Sequence, residues 1–255
     1  MKRRPLVQLV TAAFPGLTAE RAYALILSGE ILVNGERVRD SRRTFDESAE
    51  IARKPQGFVS RGGTKLAAAI EEWHIDVRGK VFLDAGASTG GFTDCLLRRG
   101  ARHVHAVEAG TNQLAYALRT DSRVSVHERT NVLDVSFLDP PADAAVADLS
   151  LRSLRGVCAH LLDLSRERWA IVLVKPQYER GAAGEAGRQG SLDRSDLRAR
   201  IESLLVALEQ ERAYVVKLME SPIRGRRGNL EFLGLVKDVP EMSPDDLISR
   251  LALGS

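Results

Sequence analysis

Four residues of this sequence could carry out proton chemistry if the fold brings them together. Asp148 in VADLS, Lys175 in LVKPQY and Glu231 in GNLEF lie at the ends of apolar runs, and Lys65 in SRGGTK precedes them. Strand ends meet at the ligand crevice of a parallel sheet, so two lysines and two acids would face one cavity. A neutral lysine can remove the proton of a weak nucleophile such as a ribose 2′-hydroxyl, and burial beside another cation favours that form. The alternative, favoured for any one residue alone, is a surface ion pair.

A second candidate site is the turn LDAGASTGGFTD, which follows a short apolar strand and leads into a helix. Gly86, Gly90 and Gly91 keep this turn open to a ligand. However, Ser88 stands where a dinucleotide-binding turn has the glycine that approaches the pyrophosphate. The turn therefore predicts a nucleotide ligand other than a dinucleotide.

Carboxylates at the ends of the next strands narrow the choice of ligand. Glu108 ends the second predicted strand, 22 residues after Gly86, where a carboxylate binds the ribose hydroxyls of adenosine. Asp134 follows the third strand, in position to meet the adenine edge. Adenosine without pyrophosphate, near further acids at Asp84 and Asp148, indicates S-adenosylmethionine, because its sulfonium is a cation. The alternative is an ordinary α/β turn with packing glycines.

The elements that must position these residues follow an α/β pattern. From Lys80 onward strands alternate with helices, which predicts a parallel sheet covered on both faces. The last two strands, AYVVKLME and NLEFLGLV, have no helix between them, so the last is expected to run antiparallel. Ahead of the sheet, helices over 5–13 and 18–28, the second with Thr18 as its predicted N-cap, precede an Asn34-Gly35 hairpin and a strand near 50–52. Together they predict a small separate module. Residues 54–65, with a proline and three glycines, predict a linker or functional loop.

The composition of the chain is ordinary for a soluble globular protein. Hydrophobic residues make up 44% and charged residues 28%, and no apolar run reaches the roughly 18 residues that span a bilayer. The start resembles a signal peptide, but Gln8 and Pro15 interrupt it, so secretion is not expected. Cys95 and Cys158 lie in apolar helical patterns and are expected in the core rather than as nucleophiles. Their number and spacing predict neither a disulfide nor a metal site, which fits a reducing cytoplasm.

Positive charge is concentrated near the N-terminus. Residues 1–65 hold twelve Lys/Arg and seven Asp/Glu, a net charge of +5, whereas the whole chain carries +3. A basic head on a near-neutral body predicts a polyanionic partner. The alternative is a solvated basic surface.

Several motifs, in this order, resemble the TlyA family: VNGERV, SRGGTKL, LDAGASTGGFTDCLLRRGA, ADLS, LVKPQYE and SPIRGRRGNLEF. The resemblance covers residues 2–237. It implies an α/β fold, a Rossmann-like class I S-adenosylmethionine-dependent methyltransferase sheet of the FtsJ type, preceded by a small α+β RNA-binding domain of the alpha-L type. It also implies 2′-O-methylation of cytidine in ribosomal RNA, with S-adenosylmethionine as the donor.

The resemblance also assigns roles to individual residues. The catalytic Lys-Asp-Lys-Glu set of the family falls on Lys65, Asp148, Lys175 and Glu231. The implied cofactor-binding residues are Gly86, Ala87, Ser88, Gly90, Phe92, Glu108, Asp134 and Asp148. The RNA-binding residues are expected to be Lys2, Arg3, Arg4, Arg21, Arg37, Arg39, Arg42, Arg43, Ser60 and Arg61. Relatives usually read Ser-Arg-Glu at 18–20, where this chain has Thr-Ala-Glu, so other basic residues are expected to supply those phosphate contacts.

The implied domains are an RNA-binding domain over 1–56, a linker over 57–65, a methyltransferase domain over 66–240 and a tail over 241–255 with a short helix after Ser243. The expected partners are ribosomal RNA and ribosomal subunits, without a metal or a membrane, for a cytoplasmic monomer. The glycine-rich segment from Arg180 to Gly190 is predicted to be a mobile flap over the bound nucleotide. Three alternatives stay open: a catalytically silent RNA-binding protein, a small-molecule methyltransferase and a membrane-lytic haemolysin.

Overall fold

The computed structural model describes residues 3–54, 57–179, 194–225 and 228–251. The chain divides into two compact units, residues 1–57 and residues 58–255. Two sequence expectations fall outside the described residues, namely the RNA contact of Lys2 and the flap over 180–190. The bounds of the four predicted segments stay predictions.

The first unit is a small α+β module. Its elements are β1 (Arg3–Pro5), α1 (Leu6–Ala13), α2 (Ala19–Ser28), β2 (Ile31–Val33), β3 (Glu36–Arg37), β4 (Thr44–Asp46) and β5 (Ile51–Arg53). Strand β1 pairs with β4, and β2 lies between β3 and β5, all antiparallel. Thr18 caps α2 by accepting a hydrogen bond from the Arg21 amide at 3.2 Å. Asn34 and Gly35 turn the β2–β3 hairpin with φ of 49° and 82°, so both predicted signals are confirmed.

The second unit contains one seven-stranded sheet. Its strands are β6 (Val81–Ala85), β7 (His103–Glu108), β8 (Val124–Glu128), β9 (Ala144–Ala147), β10 (Trp169–Val174), β11 (Tyr214–Glu220) and β12 (Phe232–Lys237). They are ordered β8-β7-β6-β9-β10-β12-β11. Strand β12 is antiparallel to both of its neighbours, as the missing helix predicts, and β6 to β10 pair in parallel.

Helices cover both faces of this sheet. They are α3 (Arg61–Glu72), α4 (Gly91–Arg98), α5 (Tyr116–Arg119), α6 (Cys158–Asp163), α7 (Arg194–Gln210) and α8 (Pro244–Arg250). Alternate strand residues point to opposite faces, so Phe82 packs with α3 and α4, whereas Leu83 packs with α6, α7 and α8. Helix α8 begins after Ser243, which accepts a hydrogen bond from the Asp246 amide, and the short helix predicted there is confirmed. Leu247 and Ile248 bury this helix in the core.

The loop predicted over 54–65 is wrong for its last five residues, because helix α3 begins at Arg61. Ser60 caps this helix by accepting a hydrogen bond from the Gly62 amide at 3.3 Å. The glycines are needed for close packing rather than for flexibility. A Cβ on Gly63 would lie 2.3 Å from the Phe58 ring, and one on Gly91 would lie 2.2 Å from Ser60 Oγ. Tertiary contact therefore overrides the low helix propensity of a Gly-Gly pair.

Candidate active site

The four proton-handling residues meet at one edge of the sheet. Asp148 follows β9 and Lys175 follows β10, at the carboxyl ends of two neighbouring parallel strands. Glu231 comes to the same edge from the other direction, because it precedes the antiparallel strand β12. The register places Phe232 beside Val174, so Glu231 and Lys175 start from adjacent positions.

The structure resolves these four side chains into two ion pairs. Lys65 pairs with Glu231, and both side chains are buried. Lys175 Nζ lies 2.7 Å from Asp148 Oδ1, but this pair is not aligned as a hydrogen bond. The Lys175 ammonium instead donates to Leu149 O at 2.8 Å, with Ser150 Oγ at 3.4 Å. The alternative interpretation of the sequence, in which each lysine pairs with an acid on the surface, is therefore wrong, because both lysines are buried.

Helix α3 brings Lys65 to the other two strand ends. Gly62, in its first turn, lies beside both groups, since a Cβ there would be in ordinary contact with Asp148 Oδ2 at 3.7 Å and the Phe92 ring at 3.5 Å. Phe92 itself is only 2% exposed and belongs to the core. The N-terminal end of α3 thus lies between the Asp148 carboxylate and the segment 86–90 that connects β6 to α4, which we call the glycine turn.

The glycine turn is held in an unusual backbone conformation by Glu108. Gly86, Ser88 and Gly90 all have positive φ, at 80°, 49° and 96°. Glu108 accepts hydrogen bonds from the amides of Ser88 and Gly110 at 2.9 and 2.8 Å. The carboxylate that the sequence assigned to ribose hydroxyls therefore also supports the turn. Asp134 is exposed at the end of a 3-10 turn after β8, and Ala87 is buried.

Asp84 is a buried carboxylate beneath this turn. Its Oδ2 accepts a hydrogen bond from Thr93 Oγ1 at 2.6 Å, whereas its Oδ1 has no hydrogen-bond partner within the described residues. Burial raises the pKa of Asp84 to about 7, and the charges of Asp148 and Glu108 add to the effect. An unpartnered carboxylate oxygen next to two further acids is an environment that a cationic ligand would stabilise.

We expect the Asp84→Asn variant to lose part of the pH dependence of stability. A carboxyl whose pKa rises from 3.8 to about 7 on folding stabilises the protein fully below pH 3.8, and that contribution is lost as the pH rises to about 7. Relative to the variant, the free energy of unfolding of the wild type should fall by about 2 to 3 kcal/mol between about pH 5 and pH 8. Urea unfolding at both pH values measures this difference, and parallel curves for the two proteins would contradict it.

The residues expected to contact RNA belong to both units. The seven arginines of this set in the first unit are all exposed: Arg3, Arg4, Arg21, Arg37, Arg39, Arg42 and Arg43. Among the ion pairs of the described residues, only Arg4 of this group takes part, with Glu47. The Arg43 guanidinium lies 5.1 Å from the centre of the Phe45 ring. Ser60 and Arg61 belong to the second unit, where they start α3.

Both cysteines are core residues, as predicted. Cys95 and Cys158 are free and fully buried, and burial raises the pKa of the Cys95 thiol to about 12. A thiol with so high a pKa is a poor nucleophile at neutral pH. Within the described residues, no cluster of three or more His, Cys, Asp or Glu side chains is arranged to hold a metal ion, and no helix has the length and apolar character to cross a membrane.

Two features of the site were not found from the sequence. The sequence presents Asp84 as one acid among several, whereas the lack of a hydrogen-bond partner for its Oδ1 depends on how the folded chain packs around it. Glu179 was not noted at all, although it lies four residues after Lys175. Its buried carboxylate accepts hydrogen bonds from Ser153 and Leu154, in the loop that follows Asp148.

Comparison with known proteins agrees with this geometry. Residues 58–237 match the FtsJ-like methyltransferase family and residues 4–51 match the S4 domain. The Mycobacterium tuberculosis protein named 16S/23S rRNA (cytidine-2′-O)-methyltransferase TlyA is 40% identical over 220 residues, 84% of this chain and 82% of that protein. The chain belongs to the TlyA family.

Other TlyA-family relatives carry a different name. Hemolysin A of Brachyspira hyodysenteriae is 35% identical over 227 residues, which cover 86% of this chain and 94% of that one. The solved structure of a candidate hemolysin from Streptococcus thermophilus is 30% identical, with a TM-score of 0.67, and covers 98% of this chain and 96% of that chain. The predicted fold class and family are thereby confirmed, and the FtsJ-like unit of this TlyA-family chain is a methyltransferase of a fold that uses S-adenosylmethionine.

In this TlyA-family chain, the Gly86→Ala variant should lose cofactor affinity. Gly86 has φ of +80°, and an added Cβ would lie 2.8 Å from the Asp148 carbonyl oxygen, so the turn would have to move. We expect the affinity for S-adenosylmethionine to fall at least about tenfold, since about 1 to 2 kcal/mol of backbone strain adds to the clash. Isothermal titration calorimetry measures the change. Gly79→Ala is the matched control, because Gly79 has φ of +72° with nothing within 4 Å of an added Cβ. Equal affinities in the two variants would contradict the prediction.

Proposed function

We propose that this chain transfers a methyl group from S-adenosylmethionine to the 2′-hydroxyl of a ribose in ribosomal RNA, with cytidine as the nucleoside. The observation that carries the proposal is the convergence of Lys175–Asp148 and Lys65–Glu231 on one sheet edge beside the glycine turn. The name of the Mycobacterium tuberculosis relative supports the same reaction. Ribosomal RNA as the substrate would place the enzyme in the cytoplasm.

The described residues fit S-adenosylmethionine on two counts. Ser88 and Thr89 are exposed on the glycine turn, and the unpartnered Asp84 oxygen with Glu108 and Asp148 nearby suits a cation. When bound, the cofactor supplies an electrophilic methyl carbon on a sulfonium. The residues proposed to hold it are Gly86, Ala87, Ser88, Gly90, Glu108, Asp134, Asp148 and the backbone of Phe92.

Lys175 is the proposed acceptor of the ribose proton. Its Nζ would have to be neutral before the reaction, so that its lone pair could take the proton that the 2′-hydroxyl loses on methylation, which also yields the neutral thioether S-adenosylhomocysteine. Leu149 O and Asp148 fix the direction of this amine. After the transfer, the Asp148 carboxylate neutralises the ammonium that forms, and the proton then leaves to solvent.

The Lys65–Glu231 pair forms the other side of the site, where its two opposite charges are held in fixed positions. Because both side chains are buried, neither can be left unpaired without a large loss of stability. We assign Lys65 and Glu231 to orienting the ribose hydroxyl toward Lys175. This arrangement needs a ribose that has been turned out of its RNA helix to reach the strand ends.

The first unit supplies the affinity for RNA in this proposal. Seven exposed arginines in the first unit, six of them within the S4 domain, favour contacts to phosphates, which position an RNA without reading its sequence. Binding should therefore weaken steeply as the salt concentration rises. A small-molecule substrate would leave this surface without a role.

Methyl transfer from labelled S-adenosylmethionine to purified small and large ribosomal subunits tests the proposal. Nuclease digestion of the labelled RNA should release 2′-O-methylcytidine. Tight binding of the cofactor without transfer to either subunit would overturn the proposal and favour a catalytically silent protein or a small-molecule substrate. Label on a base rather than on a ribose would overturn the assignment of the acceptor atom.

A further inference from the structure

Glu179 is a buried carboxylate behind the candidate active site. The residue is only 1% exposed and follows Lys175 after one 3-10 turn, Pro176–Tyr178. Its Oε1 accepts a hydrogen bond from the Leu154 amide at 3.0 Å, and its Oε2 accepts one from Ser153 Oγ. One carboxylate on the loop after β10 therefore holds the loop after β9.

Helix α7 anchors both partners of this contact. Arg200, which is buried, donates from Nη1 to the Glu179 carbonyl oxygen at 2.6 Å. Arg155, directly after the bonded Ser153–Leu154 pair, donates from Nη2 to Ser203 O and Oγ at 3.1 and 2.9 Å. The two loops are thus fastened to each other and to the same helix.

The environment of Glu179 makes these bonds necessary. Burial raises the pKa of its carboxyl, and Glu211 adds to this effect, whereas the bonds from Ser153 and Leu154 and the charge of Arg155 oppose it. A buried carboxyl that loses its hydrogen bonds is strongly unfavourable. The loop therefore has one favoured position relative to Glu179.

The two loops that Glu179 joins are those that present Asp148 and Lys175. On the side of the candidate active site, the described side-chain contacts between the two loops all come from Lys175, which contacts Asp148, Leu149 O and Ser150 Oγ. These contacts must be partly released when Lys175 gives up or takes up a proton. A second contact that takes no part in the reaction would keep the two loops in the same position relative to each other throughout.

We propose that Glu179 is a positioning residue that holds the Asp148 loop against the Lys175 loop and so fixes the direction of the Lys175 amine. The inference rests on the proposed function, in which Lys175 accepts the ribose proton. A displacement of about 1 Å at a reacting group can lower a rate about a hundredfold. Loss of the clamp should therefore reduce the chemical step without affecting substrate binding.

Three variants test the clamp: Glu179→Ala, Glu179→Gln and Glu211→Ala. Glu179→Gln keeps both contacts, because its amide oxygen can accept from the Leu154 amide and its amide nitrogen can donate to Ser153 Oγ. Glu211→Ala is the matched control. Glu211 Oε2 accepts a hydrogen bond from the Gly156 amide at 2.8 Å, so it holds the same loop but does not join it to Lys175.

We expect single-turnover methyl transfer to ribosomal subunits to fall about a hundredfold in Glu179→Ala and to stay within about threefold of wild type in Glu179→Gln and Glu211→Ala. The affinities for S-adenosylmethionine and for the subunits should not change in any of them. An unchanged rate in Glu179→Ala would overturn the proposal. So would an equal loss in Glu211→Ala, because loop order in general, rather than the bridge, would then be responsible.

Crystal structures of the wild type and Glu179→Ala give a readout that does not depend on the RNA substrate. The wild type should keep Lys175 Nζ close to Asp148 Oδ1, at 2.7 Å here, and the variant should lose this pair. An intact pair in the variant would overturn the clamp even if activity falls. Absence of transfer by the wild type would instead refute the proposed function, while the crystallographic comparison would still decide the role of Glu179.

Discussion

The Lys175→Arg variant should bind its substrates but lose methyl transfer. An arginine can keep the charge that faces Asp148 and can donate to Leu149 O, but its guanidinium does not lose a proton in proteins. General-base catalysis contributes about 10² to 10⁴-fold, so we expect a single-turnover rate about a thousandfold below wild type. Labelled transfer to ribosomal subunits measures the rate, and calorimetry should show cofactor affinity within about threefold of wild type.

Lys80→Arg is the matched control for this variant. Lys80 pairs with Glu167 at the opposite edge of the sheet, where it precedes β6. Its replacement should leave the rate unchanged. Near-normal transfer by Lys175→Arg would show that another group removes the proton.

The Lys65→Met variant should lower the free energy of unfolding more than any of the other proposed variants. It leaves Glu231 as a buried carboxylate without its ion-pair partner, and Gly225 already packs against that carboxylate so closely that a Cβ would lie 2.1 Å from Oε1. Breaking a buried pair by removing one partner costs about 3 to 5 kcal/mol. For a unit of this size, we expect the melting temperature to fall by about 10 °C.

Two further proteins make this measurement specific. The double variant Lys65→Met/Glu231→Gln removes both charges, so it should recover much of the stability while remaining inactive. Lys237→Met breaks an exposed pair with Glu241 in the same unit and should change stability by less than about 1 kcal/mol. If Lys65→Met were as stable as Lys237→Met, the Lys65–Glu231 pair would not be the buried contact described here.

The parts of this site that could be predicted from the sequence are those with a local signal. Asp148 and Lys175 each follow an apolar strand, and this position predicts the edge of the sheet at which their side chains lie. The absence of a helix between the last two strands sets the direction of β12, and this direction carries Glu231 to the same edge. Thr18 predicts the start of a helix because its side chain can cap it, and Asn34-Gly35 predicts a turn because both residues tolerate positive φ.

The parts that could not be predicted depend on contacts between distant residues. The Gly62-Gly63 pair has the local signature of a loop, and only the approach of Phe58 and Phe92 makes it helical. Asp84 looks like any strand-end acid until the surrounding packing leaves one oxygen without a partner. Glu179 follows a short turn with no periodic pattern, so its role is visible only once Ser153 and Leu154 are placed beside it.

The Lys65–Glu231 pair has a consequence for the order in which the protein is made. Its two members are separated by 166 positions, and Glu231 directly precedes β12, the last strand of the sheet along the chain. During translation Lys65, Asp148 and Lys175 leave the ribosome long before their fourth partner. A chain that stops short of β12 therefore has the glycine turn but leaves Lys65 without the carboxylate that pairs with it.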